Sequence, residues 1–227
     1  MELNDLLNYD LKIYQLKDAF KFSIDSVLLA EFVNINYRDE NILDFCTGNA
    51  PIPLILSTKF TKQIYGVEIQ KEIFDLAVKS IKYNNIENVY LINKDVKDLS
   101  NCFYFKFDII TCNPPYFKCD KESLINKSNI KAIARHEIKI TLEDIISISS
   151  KLLNFSGSLY LVHRCERLNE IFDLLKKYNF GLRRLQFVYD NFASNSCFLL
   201  IEAKYLCKND LKVMAPIYID KYLEGIK

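Results

Sequence analysis

Ile42-Leu43-Asp44-Phe45-Cys46-Thr47-Gly48-Asn49-Ala50-Pro51-Ile52-Pro53-Leu54-Ile55-Leu56 changes character twice within fifteen residues. Ile42 to Phe45 is an apolar run of strand length, and Cys46 to Ala50 is a loop of mostly small residues around one glycine. Pro51 then opens an apolar helix at a position where a missing N–H costs nothing. Strand, tight loop and helix in that order open an α/β fold that binds nucleotides at its strand ends. A second apolar run, Gln63 to Val67, ends at Glu68, twenty residues after Gly48, where such folds hydrogen-bond a ribose diol. A third, Val89 to Ile92, leads to Asn93-Lys94-Asp95, whose carboxylate is suited to accept an adenine amino group. The fourth, Phe107 to Cys112, ends in Asn113-Pro114-Pro115-Tyr116. Each of these strands delivers a polar residue at its carboxyl end, where ligands of open α/β sheets bind.

The fourth of these strand ends poses a chemical question. An exocyclic amine is a poor nucleophile because its lone pair is delocalised into the ring, and accepting its N–H bonds returns electron density to the nitrogen. Asn113 offers a side-chain carbonyl, and Pro114 a backbone carbonyl with no N–H beside it. Two prolines stiffen the turn and keep Asn113 out of the helical region, so both acceptors are preorganised. Tyr116 offers an aromatic face for an unstacked base. Pro-Pro alone usually does no more than end a strand. The Asn before it and the aromatic after it shift the balance towards function.

The remaining pattern completes the architecture. Thr141 to Leu153 is expected to be a helix, Ser158 to His163 a fifth strand, and Glu166 to Tyr178 an amphipathic helix. Leu182 to Tyr189 and Cys197 to Ala203 follow as strands with no helix between them, which implies a hairpin and an antiparallel strand. The expected fold is α/β: a Rossmann-like, doubly wound, seven-stranded and mostly parallel sheet with an antiparallel strand at the carboxyl end. Residues 24–33 are expected to form a short helix with one apolar face. The polar segment before it, within a cap formed by residues 1–40, is placed to cover a bound cofactor. Residues 117–140 are too polar for a core element and are expected to be a substrate-side loop.

At 227 residues, half of them hydrophobic, the chain has enough apolar surface for a full core and is expected to be a single domain spanning 1–227. No apolar run approaches the roughly 18 to 20 residues of a membrane span, and the acidic start Met1-Glu2-Leu3-Asn4-Asp5 is unlike a secretory signal. A cytoplasmic, monomeric protein is the expectation. Seven cysteines without Cys-x-x-Cys spacing, and two histidines far apart, argue against a disulfide framework, a zinc ribbon or any metal. The net charge of +1 conceals a gradient. Residues 1–40 carry four Lys/Arg against eight Asp/Glu, residues 41–117 eight against eight, and residues 118–227 eighteen against thirteen. A basic surface, if phosphate is to be met, belongs to the second half, where Lys118, Lys121, Lys127, Lys131, Arg135 and Lys139 follow the tetrapeptide.

With these motifs in place, the chain resembles the S-adenosylmethionine-dependent amino-methyltransferases of class I. It is most similar to the bacterial tRNA adenine-N6 methyltransferases that modify the adenine beside the anticodon of a valine tRNA. The likeness rests on Phe22-Ser23-Ile24-Asp25-Ser26-Val27-Leu28-Leu29-Ala30, the loop Asp44 to Ala50, Asn113-Pro114-Pro115-Tyr116, and Ala134-Arg135-His136-Glu137. It implies S-adenosylmethionine as cofactor, held by Asp25, Asp44, Gly48, Glu68, Asp95 and Asn113. Asn113, Pro114 and Tyr116 would be catalytic, and Pro115, Tyr116, Lys118, Arg135 and His136 would contact a tRNA. Cys46 and Ala50 stand where relatives usually have glycines. Three rivals stay open. A glutamine methyltransferase of release factors poses the same lone-pair problem, but such enzymes carry a helical domain before the loop and only 43 residues precede Asp44. A DNA adenine methyltransferase needs a recognition insertion for which the chain has no room. A noncatalytic RNA-binding protein of the same fold would have no need of the tetrapeptide.

Overall fold

The computed structural model describes residues 1–16, 24–114 and 140–225. Its central sheet contains seven long strands: β3 (Asn41–Phe45), β4 (Gln63–Glu68), β5 (Val89–Asn93), β6 (Phe107–Cys112), β7 (Leu153–His163), β8 (Phe180–Tyr189) and β9 (Ser196–Tyr205). They lie in the order β5-β4-β3-β6-β7-β9-β8. All neighbours are parallel except β9, which runs antiparallel to both β7 and β8. The expected doubly wound sheet with its antiparallel strand is thus present. Two two-residue strands, β10 (Lys212–Val213) and β11 (Ile217–Tyr218), extend it beyond β8.

The strands alternate between two apolar cores. Ile42, Ile64, Ile109, Tyr160 and Val162 face one layer, which contains α1 (Ile24–Phe32), α2 (Pro51–Ser57) and α3 (Lys71–Tyr83). Leu43, Val67, Ile110, Leu159 and Leu161 face the other, which contains α4 (Leu142–Leu152) and α5 (Leu168–Lys177). Strands buried on both faces are near-continuous apolar runs, which is why they stood out in the sequence. α4 begins with a capping box in which Thr141 and Asp144 satisfy each other's backbone N–H groups. A 3₁₀ turn, Val96–Asn101, follows β5 in place of a full helix.

Three local expectations are revised. β7 begins at Leu153 rather than Ser158, because the chain passes from α4 into the strand without a turn. The expected helix from Glu166 is a 3₁₀ turn, Cys165–Arg167, followed by α5. α1 is buried almost all round rather than on one face. It lies between the sheet and a surrounding frame formed by α2, an amino-terminal hairpin and the carboxyl-terminal α6 (Ile219–Glu224). Its exposed Glu31 accepts hydrogen bonds from Tyr9 and Tyr222, one from each end of the chain. The loop expected over 117–140 lies outside the described residues except for Ile140, which is buried.

The polar cap segment contains the hairpin, β1 (Glu2–Asp5) paired with β2 (Lys12–Gln15), too short to announce itself by periodicity. It docks by backbone on α3. Asn84 accepts the Lys12 N–H at 2.9 Å and donates to the Lys12 carbonyl at 2.7 Å, and Ser80 Oγ accepts the Tyr14 N–H at 3.0 Å. The Tyr14 carbonyl in turn accepts from Asn49 Nδ2 at 3.0 Å, so the hairpin also holds the glycine loop.

Gly181 at the start of β8 marks a close backbone approach. A Cβ there would sit 2.3 Å from the Cys207 carbonyl oxygen and 2.5 Å from that of Lys208. Backbone cannot rotate away as a side chain can. Gly181→Ala is therefore expected to destabilise the protein by roughly 3 kcal/mol, measured by chemical denaturation, without changing cofactor affinity in the folded fraction.

Candidate active site

At the carboxyl ends of β3 and β6 one buried carboxylate organises the neighbourhood. Asp44 is 0 % exposed, and its two oxygens accept from Thr47 Oγ1 and Thr111 Oγ1, each at 2.6 Å. Asp44 and Thr111 are register partners on adjacent strands, so their side chains meet on the same face. Burial pushes the Asp44 carboxyl up to about 7, against the lowering effect of the two hydroxyls. With no exposed surface and both oxygens engaged, this side chain holds the loop and the neighbouring strand.

The loop after Asp44 turns three times through left-handed backbone, at Cys46 (φ 52°), Gly48 (φ 59°) and Ala50 (φ 70°). The two departures from glycine thus occupy conformations that glycine adopts more cheaply. A Cβ added at Gly48 would meet nothing within 4 Å, so the loop faces open space there.

That space is bordered by Glu68, 5 % exposed at the tip of β4. Its Oε2 accepts the Gly48 N–H at 3.0 Å and its Oε1 the Gln70 N–H at 2.8 Å. Burial raises the Glu68 pKa, and the backbone N–H groups of Gln70, Gly48 and Ile69 oppose the rise. Gln70 Oε1 is buried with no hydrogen-bond partner among the described residues. Asp95 follows β5; its Oδ1 accepts the Lys97 N–H at 2.9 Å and so caps the 3₁₀ turn, with the side chain 25 % exposed. An open cradle at Gly48, bordered by a preoriented carboxylate, fits a ligand that carries hydroxyl or ammonium donors.

Asn113 emerges from β6 on the same face as Asp44 and Thr111, two residues beyond Thr111. Its Nδ2 donates to Ser26 Oγ in α1 at 2.8 Å. Ser26 and Asp25 are each 5 % exposed, in the first turn of α1. Pro114 is buried. The structure therefore brings Asp25, Asp44, Gly48, Glu68, Asp95, Asn113 and Pro114 to one edge of the sheet. Pro115, Tyr116, Lys118, Arg135 and His136 lie outside the described residues.

Sequence reasoning missed Ser26, Thr47, Gln70 and Thr111. Thr111 was detectable as the only hydroxyl in an apolar strand, two residues before Asn113. Ser26 carried no signal of its own, because its partner is 87 positions away. His163 at the end of β7 is buried, and burial with the nearby Arg167 pushes its imidazole down to about 4, leaving it neutral at pH 7. Among the described residues no group of three or more His, Cys, Asp or Glu is placed to hold a metal ion.

Sheet order and the cradle on its carboxyl edge define a class I methyltransferase. The chain belongs to the Methyltransferase small domain family, which matches residues 19–179. It is 27 % identical over 186 residues to a protein of Cytophaga hutchinsonii named tRNA1(Val) (adenine(37)-N6)-methyltransferase, an alignment covering 79 % of this chain and 74 % of that one. A Histophilus somni protein of the same name is 30 % identical over 147 residues, 63 % of this chain and 61 % of the relative. Among solved structures, a predicted O-methyltransferase from Agrobacterium tumefaciens superposes with a TM-score of 0.67 at 18 % identity, covering 86 % of each chain. The cofactor of this class is S-adenosylmethionine.

Asp44 gives the site a pH signature. In the unfolded chain the carboxyl ionises near 3.8, in the folded protein near 7, so between these values the native state retains a proton that the unfolded state has lost. The contribution of this group to stability therefore falls as pH rises through that window, by at most about 1.4 kcal/mol per pH unit. Asp44→Asn is expected to flatten the stability profile between about pH 4 and 7 in urea titrations, whatever its constant offset.

Proposed function

We propose that the protein transfers a methyl group from S-adenosylmethionine to N6 of an adenine in tRNA, at position 37 of a valine tRNA as in the names of its relatives. The whole chain acts as one catalytic unit, a monomer working in the cytoplasm. The observation that carries the reading is the juxtaposition of the Gly48–Glu68 cradle with Asn113, whose Nδ2 donates to Ser26 Oγ in α1. Asn-Pro-Pro-Tyr beside a donor-binding cradle is chemistry for an amino group whose lone pair is conjugated.

When bound, S-adenosylmethionine supplies an electrophilic methyl group. Glu68 accepts from the ribose hydroxyls with whatever lone-pair capacity the two backbone N–H groups leave, and Asp95 accepts from the cofactor's adenine amine. Asp25 and the open backbone at Gly48 hold the amino-acid end. Asp44 acts through Thr47 and Thr111, fixing the loop against β6. Asn113 Oδ1 and the Pro114 carbonyl accept the two N–H bonds of the target amine and localise its lone pair. Tyr116 supplies an aromatic face for the extruded base, and Pro115 is assigned to the same substrate contact. Lys118, Arg135 and His136 are assigned to the tRNA contact. No strong base is needed before attack, since the nitrogen becomes acidic only after it gains the methyl group. Orientation then carries much of the rate.

Two measurements test the reading. Purified protein incubated with labelled S-adenosylmethionine and total tRNA is expected to yield N6-methyladenosine on nucleoside digestion. Asn113→Ala should lower that turnover by about two to three orders of magnitude while calorimetry finds cofactor binding nearly intact. Label in a glutamine, in guanosine, or undiminished in the variant overturns the assignment. The cradle is tested separately. Glu68→Ala should weaken S-adenosylmethionine binding by roughly 1.5 to 3 kcal/mol, as expected for a charge-assisted hydrogen bond, and unchanged affinity would remove the ribose from β4.

A further inference from the structure

The hairpin of β8 and β9 stands higher than the strands beside it. Cys112, Leu161, Ile201 and Leu185 lie in one row across β6, β7, β9 and β8. β6 ends at Cys112, whereas β8, which runs in the same direction, continues from Leu185 to Tyr189 before the chain turns into β9. At about 3.3 Å per residue, the turn after Tyr189 rises roughly 13 Å above the edge from which Asn113 emerges. It stands two to three strand spacings to one side of Asn113, roughly 10 to 15 Å.

The top of this wall is aromatic. Phe192, 71 % exposed in the turn, stacks on Tyr218 with ring centroids 4.0 Å apart, and Tyr218 lies beside Tyr189 at 5.6 Å. Tyr218 is held there because β11 pairs with the end of β8, placing Tyr218 next to Tyr189. The turn is closed by its own side chains. Asn191 Oδ1 accepts the Ala193 N–H at 2.9 Å, and Ser194 Oγ accepts the Asn191 N–H at 3.1 Å. Phe192 is thus a ring backed by a second ring and open to solvent over most of its surface.

We propose that Phe192 is a stacking platform for an unpaired base of the tRNA, a few nucleotides from the methylated adenine, an inference that rests on the tRNA-methylation reading above. An adenine beside the anticodon lies in a single-stranded loop, and proteins recognise the bases of such loops by stacking them on aromatic side chains. Successive stacked nucleotides are about 3.4 Å apart along a strand, so a few of them cover the distance from Asn113 to the turn. The charges around the turn favour a base over a phosphate. Residues 190–195 include no Lys or Arg, Asp190 is exposed, and Asp220 donates its N–H to the Asp190 carbonyl at 3.1 Å, so two acids adjoin the ring. Stacking is tolerant of base identity, and the platform therefore contributes affinity and register rather than sequence choice.

The test is binding of an unmodified transcript of valine tRNA, measured by filter retention at several salt concentrations for wild type, Phe192→Ala, Phe192→Leu and Phe192→Trp. Leucine keeps apolar bulk against Tyr218 but has no aromatic face, so it separates stacking from support of the turn. Phe192→Ala and Phe192→Leu are each expected to weaken binding about tenfold, the scale of one lost base stack, and Phe192→Trp to bind at least as tightly as wild type. The slope of log affinity against log salt should be the same for all four, because no phosphate contact is removed, and S-adenosylmethionine affinity by calorimetry should not change. Wild-type affinity in Phe192→Leu or a flattened salt slope overturns the proposal. So does a wild-type dimer that Phe192→Ala dissociates in sedimentation, which would give the ring to a second copy of the chain. Failure of the underlying reading has a different signature: wild type itself would neither bind the transcript nor label it from S-adenosylmethionine, and the platform would fall with it.

Discussion

The buried carboxylate of Asp44 is the contact on which the site depends. Burying an acid without partners is costly, and here the cost is offset by two hydroxyl donors that belong to different segments, Thr47 in the loop after β3 and Thr111 in β6. The consequence is geometric. The loop that forms the cradle and the strand that delivers Asn113 are fastened to the same two oxygen atoms. Neighbouring parallel strands lie about 4.8 Å apart, so the cradle and the Asn113 amide are held at a fixed separation. Gly66 on the adjoining strand leaves room for this arrangement, since a Cβ there would come within 2.9 Å of Thr47 Oγ1.

Strain at the loop is the counterpart of that rigidity. Cys46 and Ala50 hold left-handed backbone without being glycine, and Ala50 is fully buried as the residue preceding α2. Such conformations persist only where the surroundings over-determine them. The surroundings here include Asp44 on one side, the Pro51-opened helix on the other, and the amino-terminal hairpin, which holds Asn49 through the Tyr14 carbonyl. The hairpin is therefore part of the cradle's support.

A second layer of support runs through α1. Nothing in its sequence, Ile24-Asp25-Ser26-Val27-Leu28-Leu29-Ala30-Glu31-Phe32, distinguishes a helix buried all round from one with a single apolar face. What encloses it comes from both ends of the chain and from the hairpin of β8 and β9, where Arg184, paired with Glu202, donates to the carbonyl of its last residue, Phe32. In this way the carboxyl-terminal strands, far from the cradle along the sheet, hold the helix that carries Asp25 and Ser26.

The strand ends were legible in the sequence because both faces of a parallel sheet are buried, so each strand is an apolar run and its polar terminus stands out. That reasoning located Gly48, Glu68, Asp95 and Asn113 on one edge, and the missing helix between the last two long strands implied the antiparallel β9. The sequence by itself therefore determined the layering of the fold and which residues end the strands that meet at that edge. It did not determine how the two acids at the tips of β3 and β4 are partnered. Asp44 and Glu68 are both acids at strand tips, and only the register of β3 against β6 turned the first inward onto two hydroxyls. Nor did it pair Ser26 with Asn113 or Arg184 with α1. Hydrogen bonds between positions far apart in the chain leave no periodic trace, and they come into being only when the sheet has brought their strands and helices together.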